Sequence, residues 1–75
     1  MPSAIMLMNL EKGYKKELVN DIKSIENVTE VHELYGIYDA FVKIESDSFP
    51  NLKESSFEKI RGLKSIRSTL TMTIE

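Results

Sequence analysis

The sequence predicts a ferredoxin-like α+β sandwich, in which a four-stranded antiparallel sheet carries two helices on one face in the order βαββαβ. Three observations predict it. The apolar period along the chain changes in the order strand, helix, strand, strand, helix, strand. The residues Ile22, Ile25 and Val28 recur as Ile60, Leu63 and Ile66, 38 positions later, each set closing a helix ahead of a strand. Two such halves joined by a tight hairpin can bury both helical stripes against a single sheet.

Each element has its own local reason. "AIMLMNL" is a continuous apolar run closed by Glu11, Lys12 and Gly13, the pattern of a strand covered on both faces. Beyond Gly13, Tyr14, Leu18, Ile22 and Ile25 fall on one helical face, with Lys15, Lys16, Glu17, Asn20, Asp21 and Lys23 outside. Asn27 tolerates the left-handed conformation that ends a helix. From Val28 to Tyr35 the period drops to two, Gly36 breaks the run, and Asp39 to Ile44 is a second strand in which Ala40, Val42 and Ile44 alternate with Phe41 and Lys43. The short gap makes the pair an antiparallel hairpin. Ser48 is the expected N-cap of a second helix that admits Pro50 in its first turn. That helix continues through Leu52, Ser56, Ile60 and Leu63, with Phe49 and Phe57 on its apolar side. The last strand runs from Arg67 to Ile74, alternating Leu70, Met72 and Ile74 with Thr69, Thr71 and Thr73.

At 75 residues the chain is a single domain at the small end of what folds alone. Self-association is therefore expected, and the first strand shows how. Ile5 and Leu7 point to one face and Met6, Met8 and Leu10 to the other, so the face without helices is also apolar. A homodimer packed sheet against sheet follows, with Met8→Lys expected to dissociate or unfold it. The chain has no cysteine and a net charge of -2. The first excludes disulfides and thiolate chemistry and suits a reducing cytoplasm. The second argues against a dedicated nucleic-acid binder. "AIMLM" is too short for a signal segment or a membrane span.

Several motifs converge on a known pattern. Gly13 precedes the first helix, Val28 opens the second strand, "YGIYD" stands at residues 35 to 39 and "SIRSTLTM" at residues 65 to 72. Over nearly its whole length the chain resembles the effector-binding (RAM) domain of the Lrp/AsnC family of transcription regulators. The chain departs from the family at Asn27 and Ser65, where glycine is frequent. Its first strand starts almost at Met1, so the resemblance implies a stand-alone effector domain over residues 1–75 without the family's helix-turn-helix.

"YGIYD" is explained in part as a turn. Gly36 gives backbone freedom, Tyr35 and Tyr38 pack, and Asp39 bonds nearby amides. It also has the parts of an amino-acid site. Gly36 leaves backbone groups open, the Asp39 carboxylate receives an ammonium, and Ser68 and Thr69 offer hydroxyls to a carboxylate. In the family the resemblance implies a ligand held in a crevice between subunits near this turn. The candidate ligand-binding residues are Tyr35, Gly36, Tyr38, Asp39, Ser68 and Thr69.

Other features receive plainer readings. The threonine alternation suits an edge strand, and the methionines suit packing. His32 shares a strand face with Glu30, while Glu33 points away, and no second histidine or cysteine completes a metal set. Lys53, Lys59, Arg61, Lys64 and Arg67 form a basic run against Glu54 and Glu58, read first as a solvated face. In a ring oligomer the run would repeat and give weak, salt-dependent nucleic-acid contact. No catalytic constellation or phosphate-binding loop appears, so no cofactor is assigned.

The sequence therefore predicts a non-enzymatic, cytoplasmic, amino-acid-sensing domain that forms dimers and rings of dimers. It would act on transcription by ligand-dependent assembly or by co-assembly with full-length Lrp/AsnC regulators. A second reading is an oligomer that contacts DNA through the basic helix face. A third is a small oxygenase-like enzyme of related dimeric fold, which bound flavin or haem would favour.

Overall fold

The computed structural model describes residues 2–53 and 57–74, with Phe49 described for its backbone alone. Its strands are β1 (Ser3–Leu10), β2 (Val28–Glu33), β3 (Ala40–Glu45) and β4 (Ile66–Ile74). Helix α1 (Lys15–Lys23) follows β1, and the helical segments α2 (Phe49–Leu52) and α3 (Glu58–Arg61) follow β3. The helix expected after Ser48 is described over α2 and α3, with the adjoining Lys53 and Phe57 in π-helical conformation, and the predicted Ser56 lies outside the described residues. All strand pairs are antiparallel in the order β2-β3-β1-β4, with Met6 opposite both Val42 and Thr71. This is the predicted α+β sandwich of ferredoxin-like type.

The internal repeat is visible as repeated bonds. The Ile25 N–H donates to the Ile22 carbonyl at 3.0 Å, and the Leu63 N–H to the Ile60 carbonyl at 3.1 Å. Each helix is then followed by a left-handed residue, Asn27 with φ 73° and Ser65 with φ 74°. A side chain in that region costs about 1–2 kcal/mol, because its Cβ crowds the carbonyl. Both residues are tied down regardless. The Asn27 carbonyl accepts Glu45 N–H at 2.9 Å, and the Ser65 carbonyl accepts Glu11 N–H at 2.6 Å. Ser48 caps as expected, its Oγ accepting the Asn51 N–H at 3.3 Å.

The core lies between the sheet and the helices. Met6, Met8, Ile22, Val42, Ile44, Leu52 and Ile60 are completely buried, with Leu10, Leu18 and Phe57 almost so. Val19 is buried as well, off the stripe the spacing marked, whereas Tyr14, placed on that stripe, is 50% exposed. Strand β2 ends at Glu33 and not at Tyr35, and a register shift between Val28 and Glu30 interrupts its pairing.

The position of Met8 corrects one expectation. It faces the helices, fully buried, so a charge there attacks the core and not an outer surface. The open face is carried instead by Ile5 and Leu7, opposite Met72 and Leu70 of β4, with Phe41 opposite Leu7 on the other side. Leu70, Met72 and Ile74 are each 43–44% exposed. A face apolar across β3, β1 and β4 and open to water is the feature expected of an association surface.

Candidate functional site

The hairpin between β2 and β3 closes where the Leu34 N–H donates to the Asp39 carbonyl at 2.8 Å. Residues 35–38 form its tip. Tyr35 is 90% and Ile37 86% exposed, so Tyr35 does not pack into the core as a turn residue would. What holds it is Lys15, whose Nζ donates to the Leu34 carbonyl at 2.9 Å and lies 4.3 Å from the Tyr35 ring centre. Tyr38 and Asp39 are half-buried. Gly36 has a positive φ of 159°, which residues with a side chain rarely adopt, although a Cβ on it would meet no heavy atom within 4 Å. Glycine is therefore favoured there by its backbone conformation and not by crowding.

Asp39 is fixed from three directions. Its N–H donates to the Met8 carbonyl at 2.9 Å, its carbonyl accepts from Leu34, and its Oδ2 accepts the Leu10 N–H at 2.9 Å. The last bond satisfies an amide at the point where β1 ends. Oδ1 has no hydrogen-bond partner among the described residues. An ionised carboxylate accepts at both oxygens, so half of its capacity is unused.

Across from Asp39 the sheet is irregular. Asn9 pairs with Ser68 but Leu10 pairs with Ile66, which leaves Arg67 as the extra residue of a β-bulge. Bulges re-aim side chains at strand ends. Arg67 lines a cavity of about 290 Å³ together with Leu10, Lys12, Lys15 and Asp39. It also lines an adjoining one of about 340 Å³ with Asn9 and Ser68, where Asn9 Nδ2 donates to Ser68 Oγ at 3.2 Å. Among the described residues Arg67 forms no ion pair; the ion pairs there join Glu30 to His32 and Lys43, and Lys43 to Glu45.

The predicted site residues thus divide. Asp39 and Ser68 border these two cavities, and Lys15 links Tyr35 to the first. Thr69 lies opposite Met8, on the helix-covered side, while Ser68 lies opposite Asn9 on the open side. The two hydroxyls therefore face opposite sides of the sheet. The basic run divides too: Lys59 and Arg61 are exposed on α3, two positions apart and so not on one helical face, whereas Arg67 belongs to β4. Lys12, Lys15 and Asn9 were not singled out for the site, since nothing local to "LEKGYK" reveals that Asp39 and Arg67 converge on it. A strongly basic turn around Gly13, with φ 93°, was the only available signal.

His32 Nε2 lies 3.2 Å from Glu30 Oε1, on the shared face that the alternation predicts, and its ring is tilted against Phe41 at 5.8 Å. Among the described residues no three His, Cys, Asp or Glu gather as metal ligands, and no helix is long and apolar enough to cross a membrane.

The geometry has clear counterparts. Residues 3–74 match the family model described as the Lrp/AsnC ligand binding domain. A hypothetical protein from Pyrococcus horikoshii superposes with TM-score 0.92 at 33% identity, covering 100% of this chain and 90% of that one. FFRP-DM1 superposes with TM-score 0.91 at 33% identity, covering 100% of both chains. AsnC of E. coli shares the fold with TM-score 0.84 at 23% identity, over 97% of this chain and 50% of that one. A homocitrate synthase from Sulfolobus acidocaldarius is 39% identical over 61 residues, which are 81% of this chain but 13% of that enzyme. The chain therefore spans a small part of the curated relative it matches.

Proposed function

The chain belongs to the Lrp/AsnC ligand-binding-domain family, and on that premise we propose that it is an oligomeric, cytoplasmic amino-acid sensor that modulates transcription. The family implies a regulatory, effector-binding domain that oligomerises. The observation that carries the finer reading is Asp39, immobilised by the Leu10 amide with Oδ1 unbonded among the described residues, beside the cavity that Arg67 also lines. A carboxylate and cationic side chains bordering one small cavity, with no ion pair between them, suit the ammonium and carboxylate of an amino acid. Tyr35, Gly36 and Tyr38 do not border this cavity within one chain and would serve where a second subunit closes it over the hairpin tip, with Ser68 at the far side. Thr69 would serve only if a neighbouring subunit brings the ligand to the other face.

The open apolar face over Ile5, Leu7, Leu70 and Met72 supports a dimer packed sheet on sheet, and the exposed Tyr35 and Ile37 support further contacts between dimers. Ligand bound where subunits meet stabilises the assembly that completes its pocket, by differential affinity alone. Co-assembly with full-length Lrp/AsnC regulators would pass that change to DNA.

A thermal-shift screen of the standard amino acids, run beside native mass spectrometry, tests the reading. At a hundredfold excess over Kd a ligand adds about 2.7 kcal/mol, a rise on the order of 10 °C for a domain of this size. The expected result is such a rise, with a changed oligomer mass, for a small subset of amino acids. No shift in either measurement with any of them rejects amino-acid sensing.

A further inference from the structure

The lining of the cavity beside Asp39 is unbalanced. Lys12, Lys15 and Arg67 face Glu11 and Asp39, three positive charges against two negative. No carboxylate within 4 Å neutralises any of the three cations among the described residues. Among the described residues Lys15 is held by neutral groups, the Leu34 carbonyl and the Tyr35 ring. A neutral amino acid brings one ammonium and one carboxylate, which leaves the excess charge unmatched. A second carboxylate on the ligand matches it.

We infer that this site selects dicarboxylic amino acids of the glutamate and aspartate class, with Arg67 receiving the side-chain carboxylate and Lys15 the α-carboxylate. The inference rests on the amino-acid-sensing reading and specifies its ligand. Arg67 suits the role because its planar fork binds a carboxylate through two parallel hydrogen bonds and stays charged at every physiological pH. Among the described residues it has no competing ion pair. The Asp39 Oδ1 receives the ammonium, and Glu11 adds a second negative charge on the same wall. Both carboxylates therefore oppose a dicarboxylate that lacks an ammonium group.

Calorimetric titration of the full chain with glutamate, aspartate, their amides, lysine and 2-oxoglutarate at physiological salt tests this. Glutamate or aspartate is expected to bind about tenfold or more tightly than its amide, the difference expected of one charge-assisted hydrogen bond. Arg67→Gln is expected to erase that preference, with a much smaller loss of affinity for the amides than for glutamate or aspartate. Lys12→Gln, at an exposed position, is expected to reduce it in part and serves if Arg67→Gln lowers the melting temperature. An amide or lysine binding as tightly as glutamate overturns the charge argument and leaves amino-acid sensing intact. Equal binding of 2-oxoglutarate removes the role of Asp39 toward an ammonium. A preference that survives in both variants removes Arg67 and Lys12 as its source, and an absence of binding by any amino acid defeats the parent reading as well.

Discussion

The Asp39 carboxylate accepts the backbone N–H of Leu10 at 2.9 Å, joining the end of the β2–β3 hairpin to the end of β1. One side chain thereby closes a turn and faces a cavity, and the two roles are separable because they use different oxygens.

Asp39→Asn keeps an oxygen for the Leu10 amide and loses the charge. Ligand affinity is expected to fall by about 1.5–3 kcal/mol, roughly ten- to hundredfold, with little change in melting temperature. Asp39→Ala loses the turn bond too and is expected to cost about 1 kcal/mol of stability, several degrees of melting temperature. Titration and melting of both variants check this; undiminished affinity in Asp39→Asn would make the residue purely a turn former.

The two hydroxyls on β4 separate by face. Ser68→Ala is expected to weaken ligand severalfold, because Ser68 borders the cavity shared with Arg67. Thr69→Val, opposite the buried Met8, is expected to leave binding unchanged. The reverse ranking in calorimetry would place the ligand on the helix-covered side.

Leu7 and Met8 are neighbours with opposite fates. Leu7→Lys charges the open face and is expected to yield a folded chain of lower native mass. Met8→Lys puts an unpaired charge in the core, a penalty of several kcal/mol, and is expected to unfold the chain. Circular dichroism with native mass distinguishes them, and an unchanged oligomer in Leu7→Lys would rule out sheet-on-sheet assembly.

Ser65 holds a left-handed φ of 74° with a side chain. Ser65→Gly removes the crowding and is expected to stabilise the chain by about 1 kcal/mol, after the added entropy of glycine in the unfolded state. The midpoint of urea unfolding reports it. A lower midpoint would mean that the serine side chain stabilises this turn.

The element order and the alternation of β3 and β4 were legible in the sequence, since apolar periodicity is a property of neighbouring residues and the 38-residue repeat doubles the signal. The left-handed Asn27 was legible as a helix end, the left-handed Ser65 less so because serine seldom takes that conformation, and Asp39 was legible as a turn residue with a carboxylate to offer. The helix-facing side of β1 was not legible, because Ile5 and Leu7 are as apolar as Met6 and Met8, and only packing against Ile22 and Ile60 separates them. Nor was the convergence of Asp39, Lys15 and Arg67 on one cavity. It depends on β1 lying between β3 and β4 and on a one-residue shift in register that turns Arg67 away from the basic run. Local pattern sets which face a residue takes within its own strand; strand order and register, which join residues dozens of positions apart, are settled only when the whole sheet closes over its core.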